Sequence, residues 1–498
     1  MFKNPLLIIA LAITGTIALW GIVDTAGLAA FAAQLVKTQF ISRAWFIMLT
    51  VSFLLIVSIW LAISPYGAIK LGRDDDETEF STLSWIAMLF AAGMGVGLLY
   101  WGTAEPLTHY MLVVEYEDSR VAASTALFLT NFHWGLHAWA IYALTGLVIA
   151  YFSFRLECPS LVSSPILKTF GRNKITRSVG WLSDLMAIVA IAIGLGGSVA
   201  MGVFQVKEGI DALFGLRDTG MGLTMGIFSV LCLSFILPLM VDLSKGMALL
   251  SNAAMIVAGS LVLYLLLMGP TYFLMGGIVQ GFGEYLGSVL VHGFRTFTFM
   301  DDRIGNWFQS WTLTYMVWWL AWAPFVGVFI ARISKGRTIR EFICGVILIP
   351  TAFSIIWFGV FGGIGFFDIL KTDSPILEVV KNNLSGVTFY VLNQFPLSFL
   401  TIAATVIAAF LFLVTSVVSA AFVLGMFSTG GDLNPSTRVK LSWGLVLAAL
   451  GLVMILSGSI DAIKSIIALG ALPFVFIVLL LVVCLLKALK LEKASNHE

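Results

Sequence analysis

The sequence predicts an all-α integral membrane protein with twelve transmembrane helices. Three observations carry that reading. The chain is 59% hydrophobic and only 11% charged, with a mean hydropathy of +1.00, far from the composition of a soluble globular domain. Its apolar residues gather into runs of about 20 or more, the length an α-helix needs to cross a bilayer. Its Lys and Arg residues collect in alternate connections, above all 153–182 and 332–340, as the positive-inside rule expects of cytoplasmic loops.

The twelve spans are expected at roughly 5–25, 45–65, 82–103, 121–152, 183–206, 222–241, 247–276, 309–331, 339–364, 397–426, 437–457 and 462–486. The first run, from Pro5 to about Val23, is long enough to span and has no small-residue cleavage pattern, so it reads as a helix and not as a removable signal. The longest runs are expected to tilt or to project beyond the bilayer. Residues 281–300 are too mixed to span and suit an amphipathic surface helix. With both termini cytoplasmic, most of the 28 Lys and Arg fall on the inner side. The acidic run Asp74-Asp75-Asp76-Glu77 also falls there and reads as a solvated loop. A net charge of +1 points to no nucleic acid and no acidic substrate. The four cysteines, Cys158, Cys232, Cys344 and Cys484, are scattered in or beside apolar stretches and read as small core residues.

The third span contains Gly93, Gly95 and Gly97 in alternation. Each glycine costs a helix about 1 kcal/mol relative to alanine, so three together favour local unwinding. In a membrane that is tolerated only where freed backbone groups meet protein or a watery cavity, and in secondary transporters such breaks hold coupling cations and anionic substrate groups. Close helix packing is the alternative use of small residues. The fourth span holds His133 and His137 four residues apart, a spacing that suits metal ligation, but no third ligand accompanies them. Trp134, Trp139 and Tyr142 follow; Trp139 and Tyr142 share a helix face, and Trp134 falls on another.

The eighth span is the most distinctive. Trp311, Tyr315, Trp318 and Trp322 follow the i, i+4, i+7, i+11 pattern of one helix face, with Trp319 beside them. Tryptophans in membrane helices ordinarily form interfacial belts, and a packed helix contact or such a belt is one reading. The other is an aromatic box for a quaternary ammonium, held by cation–π attraction. In the tenth span Thr415 and Ser416 are adjacent hydroxyls. They either back-bond to carbonyls one turn earlier or, with an unwound third span, complete an all-oxygen sodium site. The central portions of spans three, eight and ten contain no Asp, Glu, Lys or Arg. Proton relays in membranes usually need such groups, so neutral oxygens favour sodium. No nucleophile–base pair, metal set or cofactor motif appears, so no catalytic residues are expected.

Together GMGVGLLYWGTAEP, HWGLHAWAIY and WTLTYMVWWLAWAPF followed by ARISKGRTIREF resemble the betaine/choline/carnitine transporter family over nearly the whole chain. The resemblance implies two peripheral helices (1–80), a first five-helix repeat (81–280), a surface helix and loop (281–308), an inverted second repeat (309–488) and a short cytoplasmic tail (489–498). It also implies a homotrimer in a bacterial inner membrane. By motif, a trimethylammonium group would sit among Trp318, Trp319 and Trp322, with Trp134 and Tyr142 closing the box and Trp139 supporting it. Tyr100, Gly95 and Gly97 are further substrate contacts, and Trp311 and Tyr315 belong to the access path. Sodium, the coupling ion and the one cofactor-like partner, would be held by carbonyls of Ala91, Met94 and Phe412 and by the hydroxyls of Thr415 and Ser416.

The chain departs from the family pattern in places. Met316 stands where a further Trp is common. Ile191 and Leu195 stand where sodium-coupled members can have two threonines, so a second sodium site is not expected. No Lys or Arg lies between Gly246 and Met275, which argues against the fixed cation of sodium-independent exchangers. Choline-type members tend to carry Asp at the position of Gly97; with glycine there and no acid nearby in the span, a zwitterion of the glycine betaine or carnitine type is favoured. The expected function is sodium-coupled symport of such a zwitterion by alternating access. A carnitine-type exchanger and uptake of choline or a sulfonium compound are the alternatives.

Overall fold

The structure is a computed structural model that describes residues 4–93, 95–216, 219–240, 244–372 and 374–495. Their regular structure is helical, without a β-strand among them. The first long helices are α1 (Pro5–Val23) and α2 (Thr25–Ile63), joined at Asp24, whose side chain accepts from the Gly27 N–H and so caps α2. The third span comprises α3 (Thr82–Gly93) and α4 (Gly95–Val113). The fourth comprises α5 (Ser119–Trp134) and α6 (Leu136–Ala150), and the short α7 (Ser163–Phe170) follows. Next come α8 (Lys174–Phe214), α9 (Gly220–Met240), α10 (Ser244–Met268) and α11 (Thr271–His292). The second half has α12 (Asp302–Phe308), α13 (Thr314–Arg332), α14 (Ile339–Lys371), α15 (Ile376–Asn382), α16 (Val387–Asn393), α17 (Ser398–Ser428) and α18 (Thr437–Ser457). The chain closes with α19 (Ile460–Ala471) and α20 (Phe474–Ser495).

Among the described residues 11 helical segments are long and apolar enough to cross a membrane, and Asn252–Met268 of α10 adds a shorter apolar one. Ten of the expected spans have counterparts among these, several with longer bounds; the eleventh segment is Thr271–His292, and the span expected at 82–103 is present as α3 and α4. The run expected at 247–276 stops at Met268, because Gly269 and Pro270 follow; Pro270 is the N-cap of α11. Where a surface helix was expected within 281–300, α11 starts at Thr271, absorbs the end of that run and is itself long and apolar enough to cross a membrane. The last run, expected at 462–486, is divided into α19 and α20 at Leu472–Pro473, since proline lacks the N–H a helix interior needs.

The fourth span is also divided, at Gly135, between α5 and α6. A Cβ at Gly135 would lie 2.0 Å from the Tyr285 hydroxyl and 2.5 Å from the Asn131 carbonyl, so only glycine fits. The same hydroxyl accepts a hydrogen bond from the Leu136 N–H at 2.7 Å. Tyr285 of α11, fully buried, thus satisfies an orphan donor at the start of α6. It sets where the chain turns after Trp134.

The helices that matter for the site pack across the two halves of the chain: α6 lies mainly against α13, and α8 mainly against α17. At one end, backbone bonds from Leu71 to the Arg337 carbonyl (2.8 Å) and from Ile339 to the Ile69 carbonyl (2.9 Å) tie the loop after α2 to the loop before α14. The Arg337 guanidinium lies over the Trp85 ring, 4.1 Å from its centroid. The acidic run at 74–77 is largely exposed, as expected, but it is docked and not simply solvated. Asp74 pairs with Arg155 at 2.6 Å, and Asp76 accepts from the Arg73 N–H at 2.9 Å.

Two substitutions test the Gly135 break. Gly135→Ala is expected to destabilise the protein by about 1–3 kcal/mol through overpacking. Tyr285→Phe is expected to cost a similar amount, about 1–3 kcal/mol, by stranding the Leu136 N–H. Thermal unfolding in detergent measures both; wild-type melting of Gly135→Ala would mean that the break does not depend on this contact.

Candidate functional site: an aromatic cavity backed by a buried carboxylate

The helix that carries the tryptophans does not begin cleanly. Between α12 and α13 the residues Gln309–Leu313 form a π-helical turn that contains Trp311 and Thr312, a local widening common at functional sites. Beyond it the predicted stripe is realised. The rings of Trp311 and Tyr315 stack with centroids 6.1 Å apart, and Tyr315 and Trp318 follow at 6.0 Å. Trp319 meets Trp134 edge-on at 5.0 Å and Tyr142 at 5.7 Å, and its indole N–H donates to the His133 carbonyl at 2.8 Å.

These rings face a small cavity of about 50 Å³. Trp318, Trp319, Trp322 and Tyr315 form one wall, and Gly95, Gly97 and Trp101 of α4 with Trp134 form another. Leu195, Ser198 and Val199 of α8 and Leu413 and Ser416 of α17 close it. None of the lining side chains carries a charge. A Cβ at Gly97 would lie 2.9 Å from the Trp134 ring; the glycine lets that ring rest against the α4 backbone. The sequence thus identified the tryptophan wall and the glycines of the lining, with Tyr315 expected on the access path and Ser416 at the sodium site. It missed Trp101, beside Tyr100, and the apolar or unmarked residues of α4, α8 and α17, Ser198 and Val199 among them.

Other expected contacts lie outside the cavity. The Tyr100 hydroxyl is 3.0 Å from the Ser385 hydroxyl, away from the lining. Tyr142 is buried behind Trp319 with its hydroxyl unbonded among the described residues. Trp139 packs edge-on against Tyr142 at 5.5 Å. Trp311 is held behind Tyr315, and the Lys464 ammonium of α19 lies 3.4 Å from its ring centroid and 5.2 Å from that of Trp101. Lys464 is only 4% exposed.

The expected sodium ligands are described in part. Met94 falls outside the described residues, and with it the point at which the sequence places the unwinding. Ala91 lies in α3, close to its end at Gly93. The Thr415 hydroxyl donates to the Phe412 carbonyl at 3.1 Å, the back-bonded alternative. Ser416 lines the cavity, and its hydroxyl would lie 3.9 Å from a Cβ at Gly95, so the third and tenth spans do meet here.

The largest correction concerns charge. The sequence reading placed no acid near the box, because it ended the third span at residue 103. Instead α4 runs on to Val113, and Glu105 is completely buried directly behind the aromatic wall. Its carboxylate accepts from the Trp134 indole N–H at 2.8 Å and from the Tyr315 hydroxyl. It also meets His133 Nδ1 at 2.8 Å and His109 Nε2 at 3.3 Å. His133 Nε2 lies 2.9 Å from the Thr312 hydroxyl, and His109 Nδ1 accepts from the Trp307 indole at 3.1 Å. His133 and His137 do not face one another across a turn, because the helix breaks at Gly135 between them; His137 approaches Ser52 at 3.4 Å. The signal was present in the sequence: His109 stands four residues after Glu105, on the same helix face.

Comparison with known proteins agrees with this geometry. Residues 5–494 match the family described as BCCT, betaine/carnitine/choline family transporter. The chain is 38% identical over 489 residues to the glycine betaine transporter OpuD of Bacillus subtilis, covering 97% of this chain and 94% of that one. It is 36% identical over 457 residues to the glycine betaine transporter of Acinetobacter baylyi (91% of this chain, 68% of that one). It is 33% identical over 474 residues to the ectoine/hydroxyectoine transporter of Virgibacillus pantothenticus (94% and 93%). An uncharged cavity walled by tryptophans, in a chain of apolar helices matched from end to end, places this protein in the betaine/carnitine/choline transporter family.

Proposed function

We propose that the protein takes up a trimethylammonium zwitterion of the glycine betaine type by sodium-coupled symport and alternating access. The observation that carries this reading is the wall of Trp318, Trp319, Trp322 and Trp134 around a cavity without a charged lining residue. A quaternary ammonium offers no N–H to hydrogen-bond, so ring faces are its natural partners, each worth about 0.5–2 kcal/mol. The Trp322 indole N–H is a buried donor with no partner among the described residues, available for a carboxylate. The names of the two glycine betaine relatives point the same way.

Sodium would occupy the meeting place of α3, α4 and α17, with Ser416 already turned to the cavity and Thr415 released from its back-bond. The Lys and Arg distribution supports cytoplasmic termini, and we extend the family resemblance to two inverted repeats and a homotrimer in the bacterial inner membrane. One observation favours a second reading. Glu105 puts negative charge behind the box, which would serve choline, a cation without a carboxylate, as well as a zwitterion.

Uptake of labelled glycine betaine into proteoliposomes, with and without an inward sodium gradient and with carnitine and choline as competitors, tests the proposal. Uptake that needs sodium and resists choline supports it. Sodium-independent uptake that requires internal substrate makes the protein an exchanger, and strong choline inhibition selects the second reading. Trp322→Leu is expected to weaken apparent affinity about tenfold, the loss of one good cation–π contact; wild-type affinity in that variant would remove Trp322 from the box. Thr415→Ala combined with Ser416→Ala is expected to raise the sodium concentration for half-maximal uptake with little change in betaine affinity at saturating sodium. An unchanged sodium curve would empty the proposed sodium site.

A further inference from the structure

One buried cation has no anion beside it. Lys464 of α19 is 4% exposed, and among the described residues it has no hydrogen bond and no ion pair. Asp461, three residues earlier on the same helix, is exposed and lies beyond ion-pair distance. A charge taken out of water needs a partner or a substitute for one. Two ring faces are the substitute. The ammonium lies 3.4 Å from the Trp311 centroid and 5.2 Å from that of Trp101. The two rings stand at 78° to one another with centroids 5.5 Å apart, so they form a corner, and Lys464 Nζ occupies it.

The packing of α19 sets this placement. Ile463 and Ile467 lie on Gly197 of α8, where a Cβ would be 3.0 Å and 2.3 Å from them. Gly470 lies likewise on Ile193, which a Cβ would approach to 2.8 Å. With those residues seated on α8, the neighbouring buried position, Lys464, reaches Trp311 and Trp101. A lysine stem suits the place, because its methylenes pack among apolar groups while the ammonium extends to the rings.

The corner adjoins the cavity. Trp101 is itself a lining residue. Trp311 is half-buried and stacks on Tyr315, another lining residue. In the other direction along the chain from Trp311 come Asp302 and Arg303, both exposed, at the start of α12. Two tryptophan faces meeting near a right angle are a natural station for a quaternary ammonium. Here the protein's own cation has taken it.

We infer that Lys464 is a specificity-determining residue: a tethered cation, one ring removed from the box, that turns away solutes of net positive charge and admits zwitterions. The inference rests on the reading of the cavity as a trimethylammonium site and bears on which substrate that site takes. Glu105 stands behind Trp134 and Tyr315 and attracts any cation. Lys464 stands behind Trp311 and Trp101 and opposes any cation. A zwitterion brings a carboxylate whose attraction to Lys464 offsets the repulsion of its ammonium. Choline brings the ammonium alone and meets that repulsion in full. Repulsion directed at the unwanted ligand is a general route to specificity, and in a water-poor interior it acts across the thickness of a ring without contact.

Competition in proteoliposomes tests this. Lys464→Gln removes the charge at similar length, and Lys464→Met does the same should the first variant fail to fold. Lys464→Arg keeps the charge and can lie on the same rings. With labelled glycine betaine as reporter, choline is expected to inhibit about tenfold more strongly in the neutral variants than in the wild type. Apparent affinity for betaine is expected to fall about two- to threefold in the same variants, because the attraction for its carboxylate is lost. Lys464→Arg is expected to restore both values. The neutral isostere of choline, with carbon in place of nitrogen, is expected to inhibit every form alike, since it has no charge to repel. Choline inhibition unchanged in the neutral variants overturns the proposal. So does a loss of affinity for choline and betaine together, which is what a packing role alone would give, and so does wild-type protein that choline inhibits as strongly as betaine does.

A second measurement needs no betaine. Tetramethylammonium binding to the full-length protein in detergent, followed by tryptophan fluorescence, is expected to be about tenfold tighter in Lys464→Gln than in the wild type, and to weaken again in Lys464→Arg. Equal binding by all three overturns the role of Lys464. Absence of betaine uptake by the wild type refutes the substrate reading alone, and the tetramethylammonium comparison then decides on Lys464.

Discussion

The aromatic wall stands where it does because of one carboxylate. Glu105 is wholly buried, and an isolated charge in such a place would cost several kcal/mol. The charge-assisted bonds it receives from Trp134, Tyr315, His133 and His109 offset that cost. They also connect three helices, α4, α5 and α13, at a single point. A tryptophan ring packed only against apolar neighbours can slide by fractions of an ångström. Here the N–H of Trp134 and the hydroxyl of Tyr315 are fixed to the same side chain, so the two rings hold their angle to the cavity together.

Much of the fold was legible because membrane spans are long and apolar, and because the eighth span has an uncommon concentration of tryptophan on one helix face. Of the cavity-lining tryptophans, Trp134, Trp318, Trp319 and Trp322 follow from spacing and motif, and Trp101 does not. The charged residues that escaped sat at span edges. Glu105 lies two residues past the expected end of the third span, where a hydropathy boundary discards ionisable residues. Yet proline at 106 does not end that helix, and the carboxylate is carried inward on it. Lys464 lies just inside the start of the last expected run, where a single charge hardly lowers the mean hydropathy. An average over a window cannot distinguish a charge in solvent from a charge that has turned back into the protein.

The breaks in the helices show a related gap. Gly135, Gly269–Pro270 and Leu472–Pro473 each divide a run whose hydropathy reads as one span. Hydropathy does not register them, whereas backbone chemistry does. The Gly135 break also depends on a distant partner, since α11 supplies the Tyr285 hydroxyl that receives the freed N–H of Leu136. A helix expected to lie on the surface is in this way part of what aims Trp134 and His133 into the site.

Gly97 joins two traits that would otherwise be separable. Its missing side chain is the space in which the Trp134 ring rests, and a Cβ there would be 2.9 Å away. Any residue introduced at that position to bring charge to the cavity would also push an indole whose N–H is tied to Glu105. Selectivity by charge and selectivity by shape therefore cannot be adjusted one at a time from α4. A lineage that altered its preferred solute through this position would alter the outline of its binding chamber in the same step, and would need a compensating change on the fourth span to recover a close fit.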